Sequence, residues 1–266
     1  MKPILKINPP ETKKAGFTRT DLIASVGMVL LLGMVLGYAY TGERGRMARC
    51  SWNLKALGKA MHGYAAEHGG MLPPAAVNVG KYQSTWDLEV FTYLKPGLAQ
   101  DNNAELAQIV PRYFVCPSDR AAHRGTPRSY AMGSNDMTAA HWPADAGTPS
   151  GCGLNWDKPA VLRLLNEEAL KKPESLPGVK LAGIPAPADT VLLTDMITPD
   201  NLMGKAPLAS ISGSQQQRQP LADAGMNYHH GGFNYLMVDG HVEWLSPLQT
   251  GAVDGTAGIW TLKKGD

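Results

Sequence analysis

His229, His230, Asp239 and His241 are the residues of this chain whose types suit metal binding or proton transfer, since imidazole nitrogens and a carboxylate serve both ends. Their spacing argues against one shared site. An extended strand over residues 233–239 covers about 20 Å. His229 and Asp239 then stand near opposite ends of one hairpin arm and cannot ligate one ion unless the strand breaks. The reading of these residues is structural. Asp239 and Gly240 shape a turn, and the run His229, His230, Gly231, Gly232 shapes the entry to the strand. His241 can still touch Asp239 locally. Cys50, Cys116 and Cys152 form no C-x-x-C pair and no His/Cys cluster with zinc spacing. His62 and His68 do not stand four apart on a helix, so they do not share a face. Cys116 beside Pro117 has no base that the sequence assigns to it. Asp136, Asp145 and Asp157 occupy turn-rich segments without calcium-loop spacing. No G-x-S-x-G, H-E-x-x-H, phosphate loop or dinucleotide fingerprint occurs. The expectation is a chain that is no enzyme, with no catalytic residue, no cofactor and no metal.

The elements that would carry these residues begin with an anchor. The chain has 266 residues, 44% of them hydrophobic, and a formal charge of +2. It is long enough to bury a core without a disulfide scaffold. The charge is small and no block of Lys or Arg appears, so no nucleic-acid partner is expected. Residues 1–16 hold Lys2, Lys6, Lys13 and Lys14 against the single acid Glu11. Residues 22–40 then carry no charge at all. As a helix they would reach about 28 Å, enough to cross a hydrocarbon core. The run is uniformly apolar rather than striped, which reads as a membrane span rather than a core helix. It is too long for a secretory signal peptide, and Tyr38, Ala39 and Tyr40 make a poor cleavage site. Arg49 before Cys50 is unlike a lipoprotein box. Arg44, Arg46 and Arg49 follow the span, so the distribution of positive charge gives little on orientation.

The junction Lys13, Lys14, Ala15, Gly16, Phe17, Thr18, Arg19, Thr20, Asp21 resembles the cleavage and methylation site of type IV prepilins and pseudopilins. In that family a basic leader ends in Gly, the mature chain starts with Phe, and an acid stands at the fifth mature position. The resemblance implies cleavage between Gly16 and Phe17 by a prepilin peptidase, N-methylation of Phe17, and an assembly carboxylate at Asp21. The family usually has Glu where this chain has Asp21, and apolar residues where it has Arg19 and Thr20. A carboxylate at the edge of a bilayer-embedded helix is costly unless paired. A neighbouring subunit's terminal amine would neutralise it, and the helix dipole would stabilise it locally. The segment around Ala48, Arg49, Cys50, Asn53, Leu54 and Lys55 is similar to a branch of pseudopilin-like proteins with a His-x9-Asp-Gly signature, matched here by His229, Asp239 and Gly240. Phe114, Val115, Cys116, Pro117, Ser118 and Asp119, and then Ser129, Tyr130, Ala131 and Met132, are also family-like. Three cysteines allow three single pairings, and an exported location favours a disulfide over a nucleophile. The family-like segments point to Cys50 with Cys116, leaving Cys152 free.

Beyond the span, Met47, Cys50, Leu54, Leu57, Met61 and Tyr64 recur at three and four residues, one apolar stripe on a helix. Gly69 and Gly70 supply its stop. One helix over residues 17–68 would span about 78 Å, with Gly42 and Gly45 as its weak point. Residues 86–94 read as a short helix, and Asp157 with Pro159 as a capped helix start ending near Lys172 and Pro173. Residues 190–194 read as a buried strand. Residues 135–155 and 199–220 read as loops. Asp239 and Gly240 predict a two-residue hairpin turn with Val238 opposite His241. Phe233, Tyr235, Met237, Val242 and Trp244 would then share the face packed on the helix stripe.

These readings give an α+β fold: a long N-terminal α-helix, membrane-spanning in its first half, packed on an antiparallel β-sheet globular domain of pilin-like type. The expected divisions are a cleaved leader (1–16), the long helix (17–70) with its transmembrane segment (22–40), and an exported domain (71–266) containing the hairpin 233–245. The resemblance implies a pilin-like structural subunit of a filament or a type II secretion-like assembly. It would sit in the inner membrane as a single-pass protein, with its globular part in the periplasm or at the cell surface. Its partners would be the prepilin peptidase, other pilin-like subunits and the lipid bilayer. A membrane-tethered binding protein that never polymerises is the first rival reading, and an anchored hydrolase the second.

Overall fold

The computed structural model describes residues 18–94, 103–134, 151–213, 215–216, 228–251 and 258–262. The cleavage residues Gly16 and Phe17, and the acids Asp136 and Asp145, lie outside them. The chain divides into one unit ending at Thr41 and a second from Gly42 onward.

The first unit is helix α1 (Arg19–Thr41). Its start is a capping box: the Thr18 backbone N–H donates to the Asp21 carboxylate at 2.8 Å, and the Asp21 N–H donates to the Thr18 hydroxyl at 3.2 Å. Residues Arg19–Tyr38 are long and apolar enough to cross a membrane, and none is buried within the protein. Asp21 therefore already serves as a local helix cap.

The second unit opens with α2 (Glu43–Glu67). The single helix expected over residues 17–68 is thus two helices, because Gly42 between them is extended (φ −69°, ψ 179°). Without a Cβ, Gly resists this break least. Cys50, Leu54, Leu57, Met61 and Tyr64 are buried along one side of α2, as the stripe requires. The helix stops at Glu67, and Gly69 (φ 63°) and Gly70 (φ 81°) turn the chain away in left-handed conformation.

Strands β1 (Ala76–Val79) and β2 (Tyr82–Thr85) form a hairpin, followed by the short helices α3 (Trp86–Glu89) and α4 (Phe91–Leu94), α5 (Asn103–Tyr113) and strand β3 (Tyr130–Gly133). Next come β4 (Asn155–Asp157) and α6 (Lys158–Leu164), then β5 (Val191–Asp195), β6 (Ser210–Ile211), β7 (Phe233–Met237) and β8 (Val242–Leu245). Asp157 caps α6 by accepting the Ala160 N–H at 2.8 Å, but α6 ends at Leu164 rather than near Pro173. A short 3-10 segment, Glu167–Lys171, follows it, capped in turn by Asn166.

Among the described residues the strands form a three-stranded sheet, β2-β1-β4, and a five-stranded sheet, β6-β3-β5-β7-β8. The larger sheet is antiparallel except for the parallel pair β3 and β6. Strand β5 is central and buried throughout, its apolar residues Val191, Leu192 and Leu193 followed by the buried polar residues Thr194 and Asp195. Helix α2 packs across this sheet, so Cys50, Leu54, Leu57 and Met61 share one core with Leu192, Leu193, Leu236 and Val238. The other face of β7 is buried too: Phe233, Tyr235 and Met237 pack with Ala131, Val191, Ile211 and Trp260.

The hairpin corrects the expected register. Leu236 pairs with Val242 and Tyr235 with Glu243. The turn contains three residues, 238–240, closed by the Gly240 N–H donating to the Met237 carbonyl at 2.9 Å. Only Gly240 (φ 95°) has positive φ in this turn, whereas a two-residue type I′ turn needs it at Asp239 as well. A one-residue change in register changes which residues of β7 share a side with Val242. Val242 faces α2 as expected, but it is joined there by Leu236 and Val238 instead of Phe233, Tyr235 and Met237.

Gly240 has no atom near its missing Cβ, so Gly240→Ala meets only the left-handed backbone cost. That cost is about 1–2 kcal/mol. The urea midpoint should fall, while Gly183→Ala, equally uncrowded and without positive φ, should leave it nearly unchanged.

Candidate functional site

Cys50, Cys116, Asp195 and His229 meet in the core of the second unit, with one ligand-type atom from each lying within 4.8 Å of every other. Each is delivered by a different element. Cys50 stands on the buried stripe of α2. Cys116 follows α5 in a turn whose N–H groups are tied down: the Cys116 N–H donates to the Ser129 hydroxyl at 2.9 Å, and the Asp119 N–H to the Cys116 carbonyl at 2.8 Å. Asp195 ends the central strand β5. His229 precedes β7.

The backbone at His229 is unusual. His229 (φ 47°) and His230 (φ 60°) are both left-handed, and Gly231 (φ 87°) continues the turn. Such a conformation costs a non-glycine residue about 1–2 kcal/mol. It is held by the Trp244 indole N–H, which donates to the His229 carbonyl at 2.8 Å, and by Glu43, which accepts the His229 N–H at 3.2 Å. A Cβ at Gly232 would stand 2.4 Å from the Trp244 ring. The two glycines thus let the strand start directly beneath that ring. The turn aims the His229 side chain inward and His230 outward.

The contacts within the group are close. The Cys50 thiol donates to Asp195 Oδ1 at 2.9 Å. His229 Nε2 lies 3.3 Å from Cys116 Sγ and 3.4 Å from Asp195 Oδ2. Outside the four stands a second ring of partners. His229 Nδ1 lies 3.1 Å from Glu43 Oε1. Glu43 is held in turn by the Ser118 hydroxyl at 2.6 Å and by Arg46 at 2.7 and 2.9 Å. The Tyr130 hydroxyl lies 3.3 Å from Cys50 Sγ, the Ser118 N–H donates to Cys116 Sγ at 3.4 Å, and the Asn234 N–H donates to Asp195 Oδ2 at 2.8 Å.

This packing sets the proton affinities. Burial by itself lowers the His229 imidazole, but the Asp195 charge and the Cys116 and Glu43 contacts outweigh it and carry the group to about 9. Burial raises Asp195 above the usual carboxylate range. Burial pushes both thiols up. Cys50 stays well above the ordinary thiol range, while its contact with Cys50 and that with His229 bring Cys116 below it. Burial would also raise Glu43, yet its hydrogen bonds from Ser118, Arg46 and His229 draw it down to about 2.

The residues singled out in the sequence are divided by this arrangement. His229 lies in the buried group. Asp239 lies beyond the other end of β7, where its carboxylate accepts the His241 N–H at 3.0 Å and lies 2.6 Å from His241 Nδ1. That pair is partly exposed and shapes the turn. Cys50 and Cys116 come together with both thiols free, and Cys152 is buried elsewhere, also free. Sequence reasoning missed Asp195, Glu43 and Tyr130. The available signal was an acid directly after the expected buried strand of residues 190–194, a position that buries a charge and calls for partners.

Two thiols, an imidazole and a carboxylate are donors for a metal ion, and a thiol beside an imidazole is also a nucleophile pair. None of the four residues is exposed, so no substrate reaches the thiols without the core opening. Neither the curated proteins nor the solved structures hold a match to the chain. Over residues 43–163, which carry Glu43, Cys50 and Cys116 but not Asp195 or His229, the chain is similar to a family described as protein of unknown function (DUF1559, SBP_bac_10).

Proposed function

We propose that this chain is a pilin-like structural subunit without enzymatic activity. A prepilin peptidase cuts it between Gly16 and Phe17 and methylates Phe17. The mature protein stays in the inner membrane through α1 as a single-pass protein, with its second unit exported to the periplasm or cell surface. It contributes to a filament or a type II secretion-like assembly with other pilin-like subunits.

The observation that carries this reading is the fully exposed apolar helix Arg19–Tyr38, placed directly after the basic leader and the Gly16 and Phe17 junction. A helix with no buried face needs an apolar surrounding, either lipid or the equivalent helices of other subunits. The similarity over residues 43–163 is compatible with this reading. Asp21 has two roles available under this reading. Alone, it caps α1 through Thr18. In an assembly, the terminal amine of a neighbouring subunit competes for the same carboxylate.

Mass spectrometry of the protein from cells with an active prepilin peptidase should find a mature N-terminus at Phe17 carrying one methyl group. Gly16→Leu should leave the leader in place. Recovery of wild-type chains still beginning at Met1 in such cells would refute the proposed maturation.

A further inference from the structure

We propose that Cys50, Cys116, Asp195 and His229 form a structural zinc site that clamps α2 to the five-stranded sheet. The proposal is independent of how α1 is processed, since all four residues lie in the second unit. It rests on donor chemistry, geometry and surroundings.

The donor set is complete for a closed tetrahedral ion. Two sulfurs, one imidazole nitrogen and one carboxylate oxygen are all ligand types that zinc takes, and the sulfur pair with an imidazole is the core of its structural sites. Bond lengths of about 2.3 Å to sulfur and 2.0–2.1 Å to nitrogen place tetrahedral neighbours roughly 3.3–3.8 Å apart. The contacts of 2.9, 3.3 and 3.4 Å, with no pair beyond 4.8 Å, need only small side-chain movements to meet that figure. The thiolate pair disfavours hard cations such as magnesium or calcium, which take oxygen ligands. Complete burial and four protein ligands leave no open position, which is the pattern of a structural rather than a catalytic ion.

The surroundings resemble the outer shell of a metal site. Ligating histidines commonly present the second ring nitrogen to a carboxylate, which sets the tautomer. Here Nδ1 faces Glu43, itself fixed by Ser118 and Arg46, which leaves Nε2, beside Cys116 and Asp195, as the nitrogen that would bind the ion once its proton is displaced. Cys50 receives the Tyr130 hydroxyl, Cys116 the Ser118 N–H, and Asp195 the Asn234 N–H. These three contacts spread the negative charge of two thiolates and a carboxylate around one divalent ion. The left-handed backbone at His229 also gains a purpose: it points the imidazole into the group at a conformational cost.

Loading is a ligand exchange without oxidation or reduction. Zinc enters, Cys50 and Cys116 bind as thiolates, Asp195 as carboxylate and His229 as neutral imidazole. The protons they held and the waters of the ion leave to solvent. The competing fate of the same sulfurs is a Cys50–Cys116 disulfide, which would remove both ligands.

The test uses the full-length chain in detergent, carrying an affinity tag without histidine. Elemental analysis should find about one zinc per chain. His230→Ala should keep it, and Cys116→Ser and Asp195→Asn should lose it. Protein stripped with a chelator and titrated with cobalt should develop thiolate-to-cobalt charge transfer and the intense visible bands of tetrahedral coordination. This readout is on the wild-type chain, so it does not depend on any variant folding. Glu43→Gln, which alters only the outer shell, should still bind cobalt but about 10- to 100-fold more weakly. Denatured, chelated protein should show three free thiols. A count of one thiol, signifying a disulfide, would overturn the proposal. So would three thiols in a folded chain that carries no metal and takes up no cobalt.

Discussion

Asp87→Ala is expected to lower the stability of the second unit by about 3–5 kcal/mol, the usual cost of breaking a buried ion pair by removing one partner. Asp87 on α3 and Arg128 just before β3 are both fully buried and joined directly by a charge-assisted hydrogen bond. The Arg128 guanidinium also donates to Asn201 Oδ1 at 2.8 Å and to the Lys205 and Pro207 carbonyls at 3.2 and 3.3 Å, and lies over the Trp86 ring. Asp87 further accepts the Gly204 N–H at 2.8 Å. Removing the carboxylate strands a guanidinium in the core and orphans a backbone N–H of the 201–207 segment. Asp87→Asn, which keeps an acceptor but loses the charge, should fall between wild type and alanine. The control is Lys171→Ala. Its partner Glu168 and the lysine are both mostly exposed, and such a pair contributes about 0–1 kcal/mol. Urea unfolding followed by tryptophan fluorescence separates the two. Equal midpoints for Asp87→Ala and Lys171→Ala would mean that the buried pair is not what ties this segment down.

Leu57→Ala should cost about 2–5 kcal/mol. Leu57 is completely buried on α2 among Leu54, Met61, Leu236 and Val238. The cavity cannot easily close, because the helix already sits as near the sheet as its residues allow. A Cβ at the neighbouring Gly58 would stand 3.0 Å from Leu236 Cδ1. The same helix supplies the control, since Trp52 is 75% exposed and Trp52→Ala should change stability by no more than about 0.5 kcal/mol. If the two substitutions shift the urea midpoint equally, the face of α2 assigned to the core is wrong.

Much of the fold could be read from local pattern. The uncharged run of residues 22–40 reads as one helix because backbone groups in an apolar environment have only each other as partners, and it emerged as α1. The three-four spacing of Cys50, Leu54, Leu57, Met61 and Tyr64 identified the buried face of α2. Asp157 caps α6 as its type and the following Pro159 imply. Where local pattern was silent, expectations failed for identifiable reasons. Gly42 ends one helix and begins another, a break that glycine permits but does not impose. The hairpin register turned on whether Asp239 takes positive φ, and the two alternatives differ by one residue while exchanging which residues of β7 lie beside Val242.

The site divides along the same line. Asp239 and His241 stand two residues apart, and their contact is local. The four residues of the buried group come from α2, the turn after α5, the end of β5 and the turn before β7. No spacing rule joins such positions. The sequence by itself determined an apolar first helix, an amphipathic second one, a buried strand and the turn that places Asp239 away from His229. Only the tertiary structure decided that His229 meets Cys50, Cys116 and Asp195. That meeting requires β5 and β7 to pair and α2 to lie across them, and long-range packing of this kind leaves no periodic trace in the chain.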